Sequence, residues 1–175
     1  AQYPKEFETR RSLADGTALL FRPVKPTDQN ALRDMCYSLS EQSIAFRFFQ
    51  PMKAFPLKFI QEFTTIDYSR DMAIAAVIKD VGGESIIGVA HYFQNKKTGR
   101  AEASFLVRDD WQTKGVGTHL LDILSDIARK RGVKGFEASV LLRNSQMLAL
   151  FYNSGYKIST KREDDTYLIT FDFEE

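Results

Sequence analysis

The chain has 175 residues, enough for one domain with a sizeable core and too few for two ordinary ones. Hydrophobic residues make up 43% and charged residues 27%, a balance that excludes a disordered chain. Lys plus Arg number 24 against 23 Asp plus Glu, a net charge of +1, so the basic excess of a non-specific nucleic-acid binder is missing. Cys36 is the single cysteine, which rules out an internal disulfide and fits a reducing cytoplasm. With only His91 and His119 beside it, no metal site is expected. No apolar run approaches the length of a membrane span, and no basic-then-apolar leader opens the chain, so no membrane partner is expected.

Residues 1–16 are polar and weakly patterned and read as an N-terminal arm or linker, ending in the Asp15-Gly16 turn. Residues 17–175 read as one domain. Thr17 to Arg22 reads as a strand closed by Pro23 and Pro26, and Thr27-Asp28 as the cap of a helix to about Leu39. Ser40 heads a second helix through Ile44 to Phe49, ended by Pro51, and Pro56 opens a third through about Thr65. Met72–Lys79, Ser85–Gln94 and Arg100–Val107 read as strands joined by short glycine-bearing turns, an antiparallel meander. From Gly115 to about Arg131, apolar residues recur at helical period. Phe136–Leu141 is a strand, Asn144–Asn153 a helix, and Tyr156–Thr160 with Thr166–Phe173 a closing hairpin. The pattern predicts an α/β (α+β) domain with a mostly antiparallel sheet of six to seven strands, flanked by four to five helices.

Chemistry concentrates between Val107 and Leu121. A strand ends, Gln112-Thr113-Lys114-Gly115-Val116-Gly117-Thr118 follows, and a helix starts. A helix start leaves backbone N–H groups unpartnered and adds partial positive charge. Glycines at 115 and 117 let an anion approach the main chain, and Lys114 adds a full charge. A diphosphate suits such a cradle. The loop lacks the Gly-Lys-Ser/Thr of a Walker loop, and Leu120 stands where a dinucleotide fingerprint needs a small residue.

Gln112-x-x-Gly115-x-Gly117 with Leu120-Leu121 resembles the acyl-CoA-binding motif of the GNAT N-acetyltransferases, as does Asn144 followed by Met147, Leu150 and Gly155-Tyr156. A narrower resemblance rests on Arg22-Pro23, on Leu39-Ser40 with Ser43 and Arg47-Phe48-Phe49, and on Asp67-Tyr68 with Asp71-Met72-Ala73. These look like the bacterial Pat-type protein lysine acetyltransferases, whose GNAT domain is often fused behind an acyl-CoA-synthetase-like region. A chain starting at Ala1 suits a piece of such a longer parent.

The resemblance implies a sheet splayed between the fourth and fifth predicted strands, with a bulge in the fourth. It implies acetyl-CoA as co-substrate, held by Phe105, Leu106 and Val107, by Gln112 to Thr118, and by Asn144 and Phe151. Its acceptor would be a protein lysine, with an acyl-CoA synthetase as the candidate. A free lysine with pKa about 10.4 is neutral in roughly 1 in 2,500 molecules at pH 7, so a general base matters. Glu102 falls where Pat-type enzymes carry their catalytic glutamate; on its residue type alone it is an exposed strand glutamate. Phe151 stands where many GNAT enzymes place a tyrosine acid, and Tyr152 is turned away by about 100°. Asn144 reads as a pantetheine partner or a helix cap, His91 as a surface histidine, His119 as structural, Cys36 as a buried thiol and Asp109-Asp110 as a solvated turn. A small-amine acetyltransferase and a non-catalytic acyl-CoA sensor remain the alternatives.

Overall fold

The computed structural model describes residues 2–49 and 57–174. The helix stop at Pro51 and the helix start at Pro56 lie outside the described residues. Eight strands form one sheet: β1 (Thr9–Ser12), β2 (Ala18–Pro23), β3 (Met72–Asp80), β4 (Gly83–Gln94), β5 (Ala101–Val107), β6 (Gly135–Leu141), β7 (Ser159–Glu163) and β8 (Thr166–Asp172). Their spatial order is β1-β2-β3-β4-β5-β6-β8-β7. The helices are α1 (Gln29–Tyr37), α2 (Glu41–Phe48), α3 (Leu57–Thr64), α4 (Val116–Lys130) and α5 (Ser145–Tyr152). The sheet has one strand more than the sequence predicted. Thr9–Ser12, inside the expected arm, pairs with Ala18–Phe21. Its exposure alternates weakly, so it leaves no apolar signature.

Strand β3 is apolar from Met72 to Ile78 because both of its faces are covered there. One face packs Leu120, Leu124, Phe136, Phe151 and Phe171 into a core beneath α4 and α5. The other packs Leu32, Met35, Phe59 and Phe63 of α1 and α3 over Ala73, Val89 and Leu106. Each fully buried large side chain contributes about 1.5–3 kcal/mol of apolar burial. Asp28 stands at the N-cap position of α1 but does not cap it. Its carboxylate instead accepts a bidentate pair of hydrogen bonds from Arg22, at 2.8 and 2.9 Å, and another from the Lys25 N–H. That buried ion pair fixes where the chain leaves β2.

The two edges of β5 differ. Toward β4 the antiparallel ladder runs unbroken from Gly88–Val107 to Gln94–Ala101. Toward β6 the parallel pairing holds only at Ala101–Phe136 and Glu102–Glu137. The expected splay is therefore present, between β5 and β6. The expected bulge is not in β5. The register shift lies one strand over, where Ile87 of β4 is the extra residue against Ala76 and Val77. The Ile87 carbonyl accepts from the Arg108 N–H at 2.8 Å, carrying the ladder one residue past β5.

Candidate active site

An open cleft of about 590 Å³ follows the splay from the loop at Gln112 to Glu102. Every residue that the sequence proposed for the site lines it, except Lys114 and Val116. Lys114 is exposed, with Nζ 5.7 Å from the Trp111 ring centre. Val116 is buried, 3.2 Å from the place a Cβ on Gly88 would occupy. Gly88 is thus what lets α4 lie this close to β4.

At the loop end, Gly115 is the N-cap of α4, with φ of 94° and no side-chain cap. That left-handed backbone suits glycine, and the space around its missing Cβ is open. Thr113 also has positive φ, at 61°. Among the described residues, the first main-chain donor after Gln112 to reach a main-chain acceptor is His119, bonded to the Gly115 carbonyl at 3.1 Å. The N–H groups between them face the start of a 15-residue helix with its positive dipole end. This fits a diphosphate.

Along the middle of the cleft, Phe105 and Leu106 are buried on opposite faces of β5, and the strand edge facing β6 has no ladder partner past Glu102. Free main-chain donors and acceptors there suit an extended amide chain. Of the two readings of Asn144 the structure shows the cap: its Oδ1 accepts from the Met147 N–H at 3.3 Å. Its side-chain nitrogen donates to no partner among the described residues, although the residue lines the cleft. Phe151 is fully buried, its ring 5.7 Å from Phe105 and 6.1 Å from Phe171, so it forms the apolar floor. Tyr152 is 54% exposed and does not line the cleft.

At the far end, Glu102 is exposed at the point where β5 and β6 part. Arg47 of α2 lines the same cleft, its guanidinium 4.9 Å from the Phe48 ring centre. Burial lowers its pKa, and the carboxylates of Glu62 and Glu102 pull the other way. His91 is buried, not at the surface as the sequence suggested. Rings of Phe63 and Phe93 flank it at 4.8 and 4.7 Å, and the Ser104 hydroxyl lies 3.1 Å from Nε2. Burial, then the Arg47 charge, pushes its pKa down to about 3, so it stays neutral. His119 is lowered by burial and by Arg11, whose Nη1 is 3.3 Å from its ring. Burial pushes the Cys36 thiol up to about 12, so it is no nucleophile.

Sequence reasoning missed the wall opposite β6. Gln42, Ser43, Phe46 and Arg47 of α2 line the cleft, as does Arg143, whose guanidinium lies 5.7 Å from the Phe46 ring centre. Asp109 is exposed in its 3-10 turn, as the sequence suggested, but its partners were not foreseen. The Asp109 carboxylate accepts from the Ser40 N–H, the Ser40 hydroxyl and the Ser43 hydroxyl, at 3.0, 2.7 and 3.0 Å. Burial works to raise its pKa, but these donors outweigh it and hold the carboxyl low. Asp110 pairs with Arg108 at 2.7 Å. No local pattern announces a contact across 66 residues; the only signal was a serine at both ends of the Ser40–Ser43 turn.

The profile of the acetyltransferase (GNAT) domain matches residues 40–168. The chain belongs to the GNAT acetyltransferases. This GNAT domain is 27% identical to acetyltransferase PA5475 of Pseudomonas aeruginosa over 158 residues, 90% of this chain and 85% of that one. It superposes on the GNAT domain of Streptomyces lividans PAT with a TM-score of 0.88 and 30% identity, covering 98% of this chain and all of that one. A cAMP-binding acyltransferase from Mycobacterium smegmatis shares the fold, with a TM-score of 0.66 and 24% identity; this chain spans 49% of it. GNAT acetyltransferases use acetyl-CoA as co-substrate, and the loop, free strand edge and apolar floor suit its diphosphate, pantetheine and thioester. Among the described residues no group of His, Cys, Asp and Glu could hold a metal, and no helix is long and apolar enough to cross a membrane.

Proposed function

We propose that this acetyltransferase transfers the acetyl group of acetyl-CoA to a lysine side chain of a protein, by direct attack in a ternary complex. The observation that carries the reading is the single continuous cleft joining the anion-binding loop to Glu102. The whole-chain likeness to the Streptomyces lividans PAT domain and the sequence resemblance to Pat-type enzymes support a protein acceptor. Residues Gln112 to Thr118 hold the diphosphate through their main chain. Phe105 to Val107 and Asn144 hold the pantetheine arm, over the floor made by Phe151. A main-chain N–H at Leu106 or Val107 polarises the thioester carbonyl.

The acceptor nitrogen attacks that carbonyl. A C–N bond forms, the C–S bond breaks, and CoA leaves as the thiolate, which takes a proton from solvent. Glu102 accepts the proton the amine loses. Glu102 lies four residues from Leu106, about 13 Å along the strand, so a water chain carries that proton. No acyl-enzyme forms, because Cys36 is buried away from the cleft with its thiol protonated. An acyl-CoA synthetase is the first acceptor to try.

The test follows CoA release from acetyl-CoA, in wild type and Glu102→Gln, with a folded acyl-CoA synthetase and a panel of small amines as acceptors. Acetylation of one protein lysine, lost in Glu102→Gln, is the expected result. Turnover confined to small amines would replace the protein acceptor. Acetyl-CoA binding with no turnover on any acceptor would favour a sensor.

A further inference from the structure

Helix α2 carries Phe46 and Arg47 into the cleft, yet Ser43 is its only buried residue. Ile44 and Phe48 are only partly buried against the core. A helix of eight residues is marginal on its own propensity and needs tertiary contacts to hold its place. Here much of that hold is polar. The Ser40 hydroxyl caps the helix by accepting the Ser43 N–H at 3.1 Å, and gives its own proton to Asp109. The Ser43 hydroxyl gives its proton to Asp109 and accepts from the Gln112 side-chain nitrogen at 3.2 Å. The same nitrogen donates to the Val107 carbonyl at 3.0 Å. Every donor in this group has an acceptor, and Asp109 takes three of them.

The other side of the connection is the anion loop. Asp109 opens a single 3-10 turn through Trp111, and Gln112 follows at once. The Gln112 N–H donates back to the Asp109 carbonyl at 3.3 Å. Only Asp110 and Trp111 therefore separate Asp109 from Gln112, the first cleft-lining residue of the loop. Whatever fixes the loop fixes Asp109, and whatever fixes Asp109 fixes the N-terminus of α2.

We propose that Asp109 is a positioning residue, a latch through which acetyl-CoA bound at the loop sets helix α2 and so completes the acceptor wall. The inference rests on the reading of residues 112–118 as the acetyl-CoA loop. It gives the enzyme an order of assembly: the acceptor side is firm only when the acyl donor is in place. Binding energy at one site is then expressed as reduced motion at the other.

The experiment is hydrogen exchange at amides 44–48 with and without acetyl-CoA, paired with calorimetric titration of acetyl-CoA. In wild type, saturating acetyl-CoA slows exchange there by about tenfold or more. In Asp109→Asn, where one oxygen acceptor becomes an N–H donor facing serine donors, the slowing falls below about twofold. Affinity for acetyl-CoA stays within about threefold of wild type, because the loop's own main chain is untouched. Ser40→Ala behaves like Asp109→Asn, and Ser40→Thr, which keeps the hydroxyl, behaves like wild type. Thermal melts confirm that each variant is folded. Equal protection in wild type and Asp109→Asn overturns the latch, as does acetyl-CoA binding to wild type without protection of α2. A loss of acetyl-CoA affinity above about tenfold in folded Asp109→Asn makes Asp109 part of the loop itself and also overturns it. Failure of acetyl-CoA to bind wild type overturns the cofactor reading, and the latch with it.

Discussion

Strand β5 has two edges with opposite fates. Its β4 edge is laddered along its whole length, and its β6 edge is laddered for two residue pairs only. Ala103 to Val107 are thus laddered on one side and unladdered on the other. The closed edge spends its hydrogen bonds on stability. The open edge keeps donors and acceptors available to a ligand, and the candidate site lies along it. Function in this fold begins where pairing stops.

The contrast can be broken first at Glu102, which stands at the last pair before the strands part. Glu102→Gln keeps the shape and removes the base proposed above. Turnover is expected to fall by about 10²–10⁴-fold with acetyl-CoA affinity unchanged, read by CoA release and by calorimetry. Gly115→Ala acts at the other end of the open edge. A Cβ at φ of 94° strains the cap, and acetyl-CoA affinity is expected to fall about tenfold for roughly 1–2 kcal/mol of strain. Gly88→Val tests the closed edge instead. Its new carbons meet Val116, Leu120 and the Leu106 carbonyl, within 3.2–3.3 Å of the Cβ alone. Overpacking of about 1–3 kcal/mol should lower Tm by several degrees in a melt. Any loss of activity there should follow loss of fold.

His91, on the closed edge, sets a pH dependence. Its folded pKa of about 3 lies below the ordinary value of 6.5, so the unfolded chain binds the proton more tightly. Its contribution is complete above pH 6.5 and is lost progressively as pH falls toward 3. Between pH 6.5 and 5, denaturant midpoints should drop with acidification, and His91→Leu should flatten that slope. The smallest effect belongs to Tyr152→Phe. That side chain is outside the cleft, and turnover should stay within about twofold of wild type. A large loss would restore a tyrosine acid to the mechanism.

The loop end of the cleft was legible because local chemistry writes itself locally. Gly115, Gly117 and the helix start at Val116 are adjacent in sequence, and glycine is needed there for a backbone reason. The meander was equally plain, since β3, β4 and β5 are consecutive and joined by short turns. Strand β1 was not visible, because Thr9, Arg10, Arg11 and Ser12 are all polar and their weak alternation in exposure leaves no apolar pattern to see. The solvated turn at Asp109 was legible, but not its serine partners, because nothing near it in sequence reveals that Ser40 and Ser43 arrive from 66 to 69 residues away. His91 alternates with apolar neighbours, so its burial depends on α3 folding over it, with Phe63 against its ring. The α2 wall of the cleft is the least legible part, being assembled from α2 and the β6–α5 connection, which meet only in space.

Cys36 has a use beyond being unreactive. It is the sole thiol, 1% exposed on the buried face of α1, and its burial keeps it protonated at neutral pH. A maleimide or disulfide reagent reaches it only when the α1–α3 layer lifts from the sheet. The native chain therefore carries its own single-site clock. The labelling rate times the opening of the helical layer that carries Arg47 and covers His91, with no engineered probe and no correction for a second cysteine.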